Sequence, residues 1–168
     1  LHLPVQAGSD RILALMNRRY TTGDYLKKIE MLRRYIPDVD ITTDIMVGFP
    51  TEIESEFQET LSLVKSVCFT NAFMFAYSAR EGTAAGAMVD DIPREEKISR
   101  LNRLIKIQTD ITKAVYEQKV GCELDLLITG RQEKRDRMWM GMDKGCKRAL
   151  LSCEMAEAGM ILKAKAIK

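Results

Sequence analysis

Apolar positions along this chain recur with two different periods, and the change from one to the other divides it. Leu1-His2-Leu3-Pro4-Val5-Gln6 reads as a short strand with no lead-in. Ser9 is placed to cap a brief helix carrying Ile12, Leu15 and Met16. Thr21 and Asp24 form a capping box, with Asp in place of the usual Glu. Behind it Tyr25, Leu26, Ile29, Leu32 and Ile36 follow at helical spacing, and Pro37 ends the run. Ile41 to Val47 is a strand stopped by Gly48-Phe49-Pro50. Thr51-x-x-Glu54 predicts a second capping box, heading a helix that buries Ile53, Phe57, Leu61, Val64 and Cys68. Ala72 to Tyr77 is a continuous apolar run, as in strands covered on both faces, and predicts Phe73 and Phe75 buried beside Ile45 and Val47. A loop from Ser78 to Asp91 leads to Pro93 and a long helix with Ile98, Leu101, Leu104, Ile105, Ile111 and Val115 on one face.

Residues 1–119 therefore read as three βα units plus a linking helix, which is the α/β class with a parallel sheet. Three parallel strands leave open, unpaired edges. The remaining strands are expected before Leu1, in a longer parent protein. From residue 120 the period falls to two. Cys122 to Ile128, Met138 to Met142, Arg148 to Cys153 and Ile161 to Ile167 predict four short strands, and residues 120–168 read as a small OB-like β-barrel.

Charge sharpens that division. Through residue 118 there are 15 Lys and Arg against 17 Asp and Glu, a net of −2, whereas the last 50 residues hold 11 against 7, a net of +4. No apolar run approaches the roughly 18 residues of a membrane span, and no signal peptide opens the chain. Cys68, Cys122, Cys146 and Cys153 are too scattered for a disulfide scaffold, and the chain reads as cytoplasmic with reduced thiols. No pair has CxxC spacing, there is no CxxxCxxC triplet, and His2 is the only histidine. No metal site is expected from this chain.

In βα architectures, chemistry gathers at the carboxyl ends of the strands. Here Gln6, Ser9, Tyr77, Ser78 and Arg80 can hydrogen-bond a polar ligand, and Gly48 leaves room for a flat ring. Each has an ordinary alternative as a cap or a loop-entry residue. Asp44 lies mid-strand, where a carboxylate either faces a polar lumen or is satisfied by a neighbouring strand. The Met-rich strand around Trp139 reads as barrel core. Arg131, Lys134, Arg135, Arg137, Lys144, Lys147 and Arg148 cluster in two connections, and are either solvated turns or a phosphate-binding lip for RNA. No GxxxxGK[ST] or GxGxxG loop is present, and no Ser or Cys has a histidine partner beyond His2.

Several strings taken together resemble the radical-SAM tRNA methylthiotransferases. They are His2-Leu-Pro-Val-Gln6-Ala-Gly-Ser9-Asp10-Arg11, Met16-Asn17-Arg18, Thr42-Thr-Asp44-Ile-Met-Val-Gly48-Phe49-Pro50, Tyr77-Ser-Ala-Arg80-Glu-Gly-Thr83, and Asp90-Asp91-Ile-Pro93. The resemblance implies that residues 1–119 are the carboxy-terminal half of a partial (β/α)6 TIM-like barrel. It implies that residues 120–168 are a TRAM domain, possible loss of its last strand included. The reaction implied is methylthiolation of carbon 2 of N6-isopentenyladenosine beside the anticodon, with S-adenosyl-L-methionine (SAM) and 4Fe-4S clusters as cofactors. Alternatives are a sister enzyme acting on threonylcarbamoyl-adenosine tRNA or a ribosomal protein, and a non-catalytic RNA-binding module. SAM or substrate contacts are implied for Gln6, Ser9, Asp44, Val47, Gly48, Tyr77 and Arg80, with tRNA and the missing amino-terminal part as partners. No catalytic or cluster-ligating residue is expected in the fragment itself, which is expected to be inactive alone. The chain departs from its relatives at Thr51, where they usually have glycine. Four thiolates must converge on one cluster, so anaerobic reconstitution with iron and sulfide is expected to give no stoichiometric cluster absorbance.

Overall fold

The computed structural model describes residues 1–132 and 137–167. They form two compact units, Leu1–Ala114 and Val115–Lys168. The first contains α1 (Asp10–Leu15), α2 (Thr22–Tyr35), β1 (Thr42–Val47), α3 (Glu54–Val67), β2 (Asn71–Ala76) and most of α4 (Arg94–Glu117). The second contains β3 (Glu123–Arg131), β4 (Met138–Met142), β5 (Arg148–Ser152) and β6 (Ile161–Lys165). No helix among the described residues is long and apolar enough to cross a membrane.

β1 and β2 pair in parallel from Thr42↔Asn71 to Val47↔Ala76. The opening segment lies along the other side of β1, also parallel, through bridges His2↔Thr42 and Gln6↔Ile45. Pro4 has no amide to donate, and the Val5 amide donates instead to Thr43 Oγ1 at 2.9 Å. The ladder is therefore broken in its middle, and Leu1 to Gln6 is not a continuous strand. Thr43, Ile45 and Val47 turn inward with Val5, Tyr25, Ile29, Phe57, Leu61, Val64, Phe69 and Leu104 to make the principal core.

The other face of this sheet is open. Phe73 and Phe75 are 54% and 52% exposed, so the expectation that both are buried fails. The apolar run was read as covered on both faces, but helices cover only one. In the pairing register Phe73 lies opposite Asp44 and Phe75 opposite Met46, on the face turned away from the principal core.

Helix starts divide into those the pattern predicts and one it misplaces. Ser9 caps α1 by accepting from the Ile12 amide, and Thr21 with Asp24 forms the reciprocal capping box of α2. The Thr51–Glu54 box does not form. Thr51 has φ +68°, in the left-handed region, and α3 begins two residues later. Only half a box replaces it, the Glu56 carboxylate accepting from the Ile53 amide at 3.0 Å. Ile53 is consequently exposed, as is Cys68, which ends α3 in a left-handed conformation. Along α4, Leu104 and Gln108 are buried while Ile98 and Ile105 are exposed, which shifts its buried face from the predicted one.

The division between units falls at Ala114, five residues before the position read from sequence. The last turn of α4 belongs to the second unit, where Lys147 Nζ sits 5.2 Å from the Tyr116 ring centroid and Lys119 pairs with Asp143 at 3.2 Å. There the strands form an antiparallel sheet in the order β5-β4-β3-β6, with a bulge between Ile128 and Gly130. Leu126, Ile128 and Gly141 are buried on one face, whereas Met140 and Leu150 are exposed on the other.

Phe57 is fully buried beneath α4, so Phe57→Ala is expected to cost about 3–5 kcal/mol. Phe75→Ala is expected to cost less than about 1 kcal/mol, as surface changes do. Urea unfolding of both variants measures the difference, and its sign identifies which sheet face is the core.

Candidate ligand-binding edge at the strand termini

Three chain segments meet where β1 and β2 end. The Met46 amide donates to Gln6 O at 2.8 Å and the Tyr77 amide to Val47 O at 2.9 Å, which brings Gln6, Val47 and Tyr77 side by side. A second core cluster of Ala7, Ile12, Leu13, Phe49 and Tyr77 supports them from below. The Phe49 and Tyr77 rings meet edge to face, centroids 5.2 Å apart.

The turn after Val47 is held by buried charge. Gly48 has φ +71°, and its amide donates to Glu52 Oε2 at 2.7 Å. The same oxygen accepts from Arg100 Nη1 at 2.9 Å, and that nitrogen also reaches Glu52 O. Glu52 is wholly buried, and desolvation raises its carboxyl pKa despite the two hydrogen bonds. Alongside, Glu56 accepts a bidentate pair from Arg11 at 2.7 Å for each bond and a third from Ser9 Oγ at 3.1 Å. The Arg11 hydrogen bond is the main reason that the Glu56 pKa is lowered.

The loop after β2 is fastened back onto this turn. Tyr77 Oη donates to Ala85 O at 2.8 Å, and the Asp91 carboxylate accepts from the Thr51 amide at 2.8 Å. Lys97 Nζ lies 2.5 and 2.6 Å from the two Asp90 carboxylate oxygens and 5.1 Å from the Tyr77 ring centroid. Burial raises the Tyr77 hydroxyl pKa, with the Asp90 charge adding to it.

The residues singled out from sequence separate accordingly. Gln6 is half-buried at φ +71°, and Arg80 is exposed. Asp44 stands on the open sheet face, 3.5 Å from His2 Nε2, while His2 Nδ1 lies 2.9 Å from Thr42 Oγ1. Ser9 and Tyr77 have their hydroxyls engaged by the protein, and Val47 is fully buried. At Gly48 the direction a Cβ would take is occupied by Lys97, whose Cγ would lie 2.5 Å from it. Sequence reasoning missed Glu52, Asp90, Lys97 and Arg100. The one available signal was two cations three residues apart on a helix, following paired aspartates.

In the second unit the described basic residues stand at separate places. Arg131 is exposed at the end of β3, and Arg137 lies 3.5 Å from Glu154. Lys144 pairs with Asp125 at 3.1 Å, and Arg148 is exposed at the start of β5. Lys147 is 7% exposed and is not a surface contact. Lys134 and Arg135 lie outside the described residues. The strand β4 separates the two connections by roughly 17 Å, at 3.4 Å per residue.

Comparison with known proteins places this arrangement. Residues 1–64 match the family model of the Radical SAM superfamily. Coproporphyrinogen III oxidase from Escherichia coli, described as a radical SAM enzyme, superposes with a TM-score of 0.56 at 16% identity. That likeness covers 86% of this chain and 40% of the oxidase, and identifies the fold as that of radical SAM proteins. The sequence relatives are more specific. The tRNA-2-methylthio-N(6)-dimethylallyladenosine synthase of Acetivibrio thermocellus is 44% identical over 88% of this chain and 31% of the relative. Those of Moorella thermoacetica and Protochlamydia amoebophila are 50% and 43% identical, over 77% and 90% of the chain. The chain spans about a third of the length of these relatives, at 29% to 34%. Over that segment it is homologous to the MiaB-type radical SAM tRNA methylthiotransferases.

A carboxyl with raised folded pKa favours the protonated state on folding. Its stabilisation is present below the ordinary value of 4.5 and is lost as pH rises through the folded value. The stability of wild type minus that of Glu52→Gln is therefore expected to fall as pH rises above about 4.5. Urea midpoints at several pH values for both proteins measure it, and a flat difference would remove the buried-charge account.

Proposed function

We propose that this chain is part of a tRNA-modifying enzyme that methylthiolates carbon 2 of N6-isopentenyladenosine beside the anticodon. The supporting observation is identity of 41–50% to synthases of that name across most of the chain. In this reading residues 1–119 are the second half of a partial barrel, and the four-stranded unit is a TRAM-like domain that holds RNA. A cytoplasmic place follows from the tRNA substrate. Threonylcarbamoyl-adenosine or a ribosomal protein is the substrate of the sister-enzyme alternative, which no feature of these residues favours.

The strand-terminal edge fits an adenosyl ligand. Gln6 and Arg80 offer hydrogen-bonding groups there, and Asp44 offers a carboxylate on the open face. Ser9, Val47, Gly48 and Tyr77 act one step back, shaping the edge through the contacts they make with protein. SAM would supply an adenosyl group for one-electron chemistry from one molecule and the transferred methyl group from another. The chain's own part is to orient the ligand and to keep the edge rigid. The described residues do not fit an iron–sulfur cluster, because no group of three or more His, Cys, Asp or Glu side chains converges among them. No step is assigned to a cluster here.

RNA binding is expected to be weak and carried by phosphates. Each lost phosphate contact lowers the slope of log affinity against log salt by roughly 0.7–0.9. Replacing Arg131, Lys134 and Arg135 with alanine is expected to weaken binding equally for modified and unrelated tRNAs, and to lower that slope. A salt titration of the 168-residue chain and the triple variant against two tRNAs measures both. Unchanged affinity and slope would reduce these residues to a solvated turn.

A further inference from the structure

We propose that Lys97 is the positioning residue of the strand-terminal edge, latching the Ser78–Asp91 loop to the ends of β1 and β2 so that the edge can hold an adenosyl ligand. The proposal rests on the reading of this edge as a SAM site and names the side chain that shapes it.

Lys97 lies in the first turns of α4, and three of its parts make three different contacts. The aliphatic stem fills the space beside Gly48, so close that a Cβ at that glycine would meet Lys97 Cγ at 2.5 Å and Cβ at 3.1 Å. The ammonium stands over the Tyr77 ring at 5.1 Å. Two of its protons are directed to Asp90, at 2.5 and 2.6 Å. One side chain thereby touches the turn after β1, the residue that follows β2, and the end of the loop behind β2.

The environment separates this lysine from an ordinary helix-surface cation. Its side chain is 7% exposed, while that of Asp90 is 37% exposed. An ammonium out of water must be paired and hydrogen-bonded. The carboxylate and the ring face supply both a counter-charge and a second electrostatic partner. A residue needed only for packing would be apolar, and one needed only for charge would not thread past a glycine. Thr51 and Asp91 add a parallel tie between the same loop and the same turn, at 2.8 Å. One turn further along α4, Arg100 reaches the Glu52 carboxylate that accepts the Gly48 amide. The start of α4 thus fixes the loop from above and the turn from behind.

S-adenosylhomocysteine is a stable adenosyl probe for the test. It is titrated into the isotopically labelled 168-residue chain, with the Gly48 and Tyr77 amide resonances as readout and thermal melting in parallel. Wild type is expected to show saturable shifts at both amides. Lys97→Met keeps the stem and is expected to bind at least tenfold more weakly. Lys97→Arg restores a cation over the ring and is expected to recover most of that loss. Asp90→Asn, on the more exposed partner, is expected to match Lys97→Met, and the double variant to be no worse than either alone. Asp90→Asn decides the matter if Lys97→Met does not fold. A folded Lys97→Met or Asp90→Asn chain with wild-type affinity overturns the latch. Absence of saturable shifts in wild type overturns the SAM reading of the edge, and the latch with it.

Discussion

Glu52 has its carboxylate wholly buried and shares one oxygen between the Gly48 amide and the Arg100 guanidinium. The end of β1, the turn behind it and the seating of α4 follow from that arrangement. A buried charge is stabilising only when its partners are in place, and removing one partner leaves the other desolvated. The turn cannot therefore relax independently of the helix, nor the helix slide without uncovering the carboxylate. Glu56, paired with Arg11 and accepting from Ser9, ties the opening segment to the same place. Three stretches far apart in the chain meet through carboxylates rather than through apolar packing alone.

The two units use different means to build their sheets. In the first, strands are parallel and joined through helices, and one sheet face carries the core while the other presents His2, Asp44, Phe73 and Phe75. On that uncovered face the His2 ring meets Phe73 edge to face, centroids 5.9 Å apart, and lies 3.5 Å from the Asp44 carboxylate. In the second, antiparallel strands are joined by turns, and Asp143 organises one of them by accepting from the Gly145 and Lys147 amides at 2.8 Å. The match to the Radical SAM superfamily lies within the first unit.

Much of the fold was legible because it rests on local signals. Ser9 and the Thr21–Asp24 pair announce helix starts through side chains that satisfy nearby amides, and those starts are where the sequence puts them. Strands β1 and β2 follow from β-branched and apolar runs closed by Gly48 and Tyr77. The exposure of Phe73 and Phe75 was illegible, because a continuous apolar run does not say which neighbours cover it. Thr51 resembled a cap by spacing alone, and its positive φ overrode that pattern. At the site, Gln6, Gly48 and Tyr77 were visible as strand-end residues. Their supports were not, since the pairing of Glu52 with Arg100 spans 48 residues and that of Lys97 with Asp90 depends on a loop path.

Thr51 keeps a β-carbon in a backbone region that strains it. Its amide is bound by Asp91, and its carbonyl and hydroxyl by Arg11 at 2.7 and 3.1 Å. Those three bonds hold the strained residue in place, which makes the order of substitution matter. Glycine at 51 would first remove the strain and relieve Arg11 of holding the turn, while the buried Glu56 carboxylate still requires the guanidinium. Losing Arg11 first leaves an uncompensated turn beside a buried carboxylate. One order meets the two losses separately and the other meets them together, so this corner of the molecule constrains the routes by which its sequence can drift.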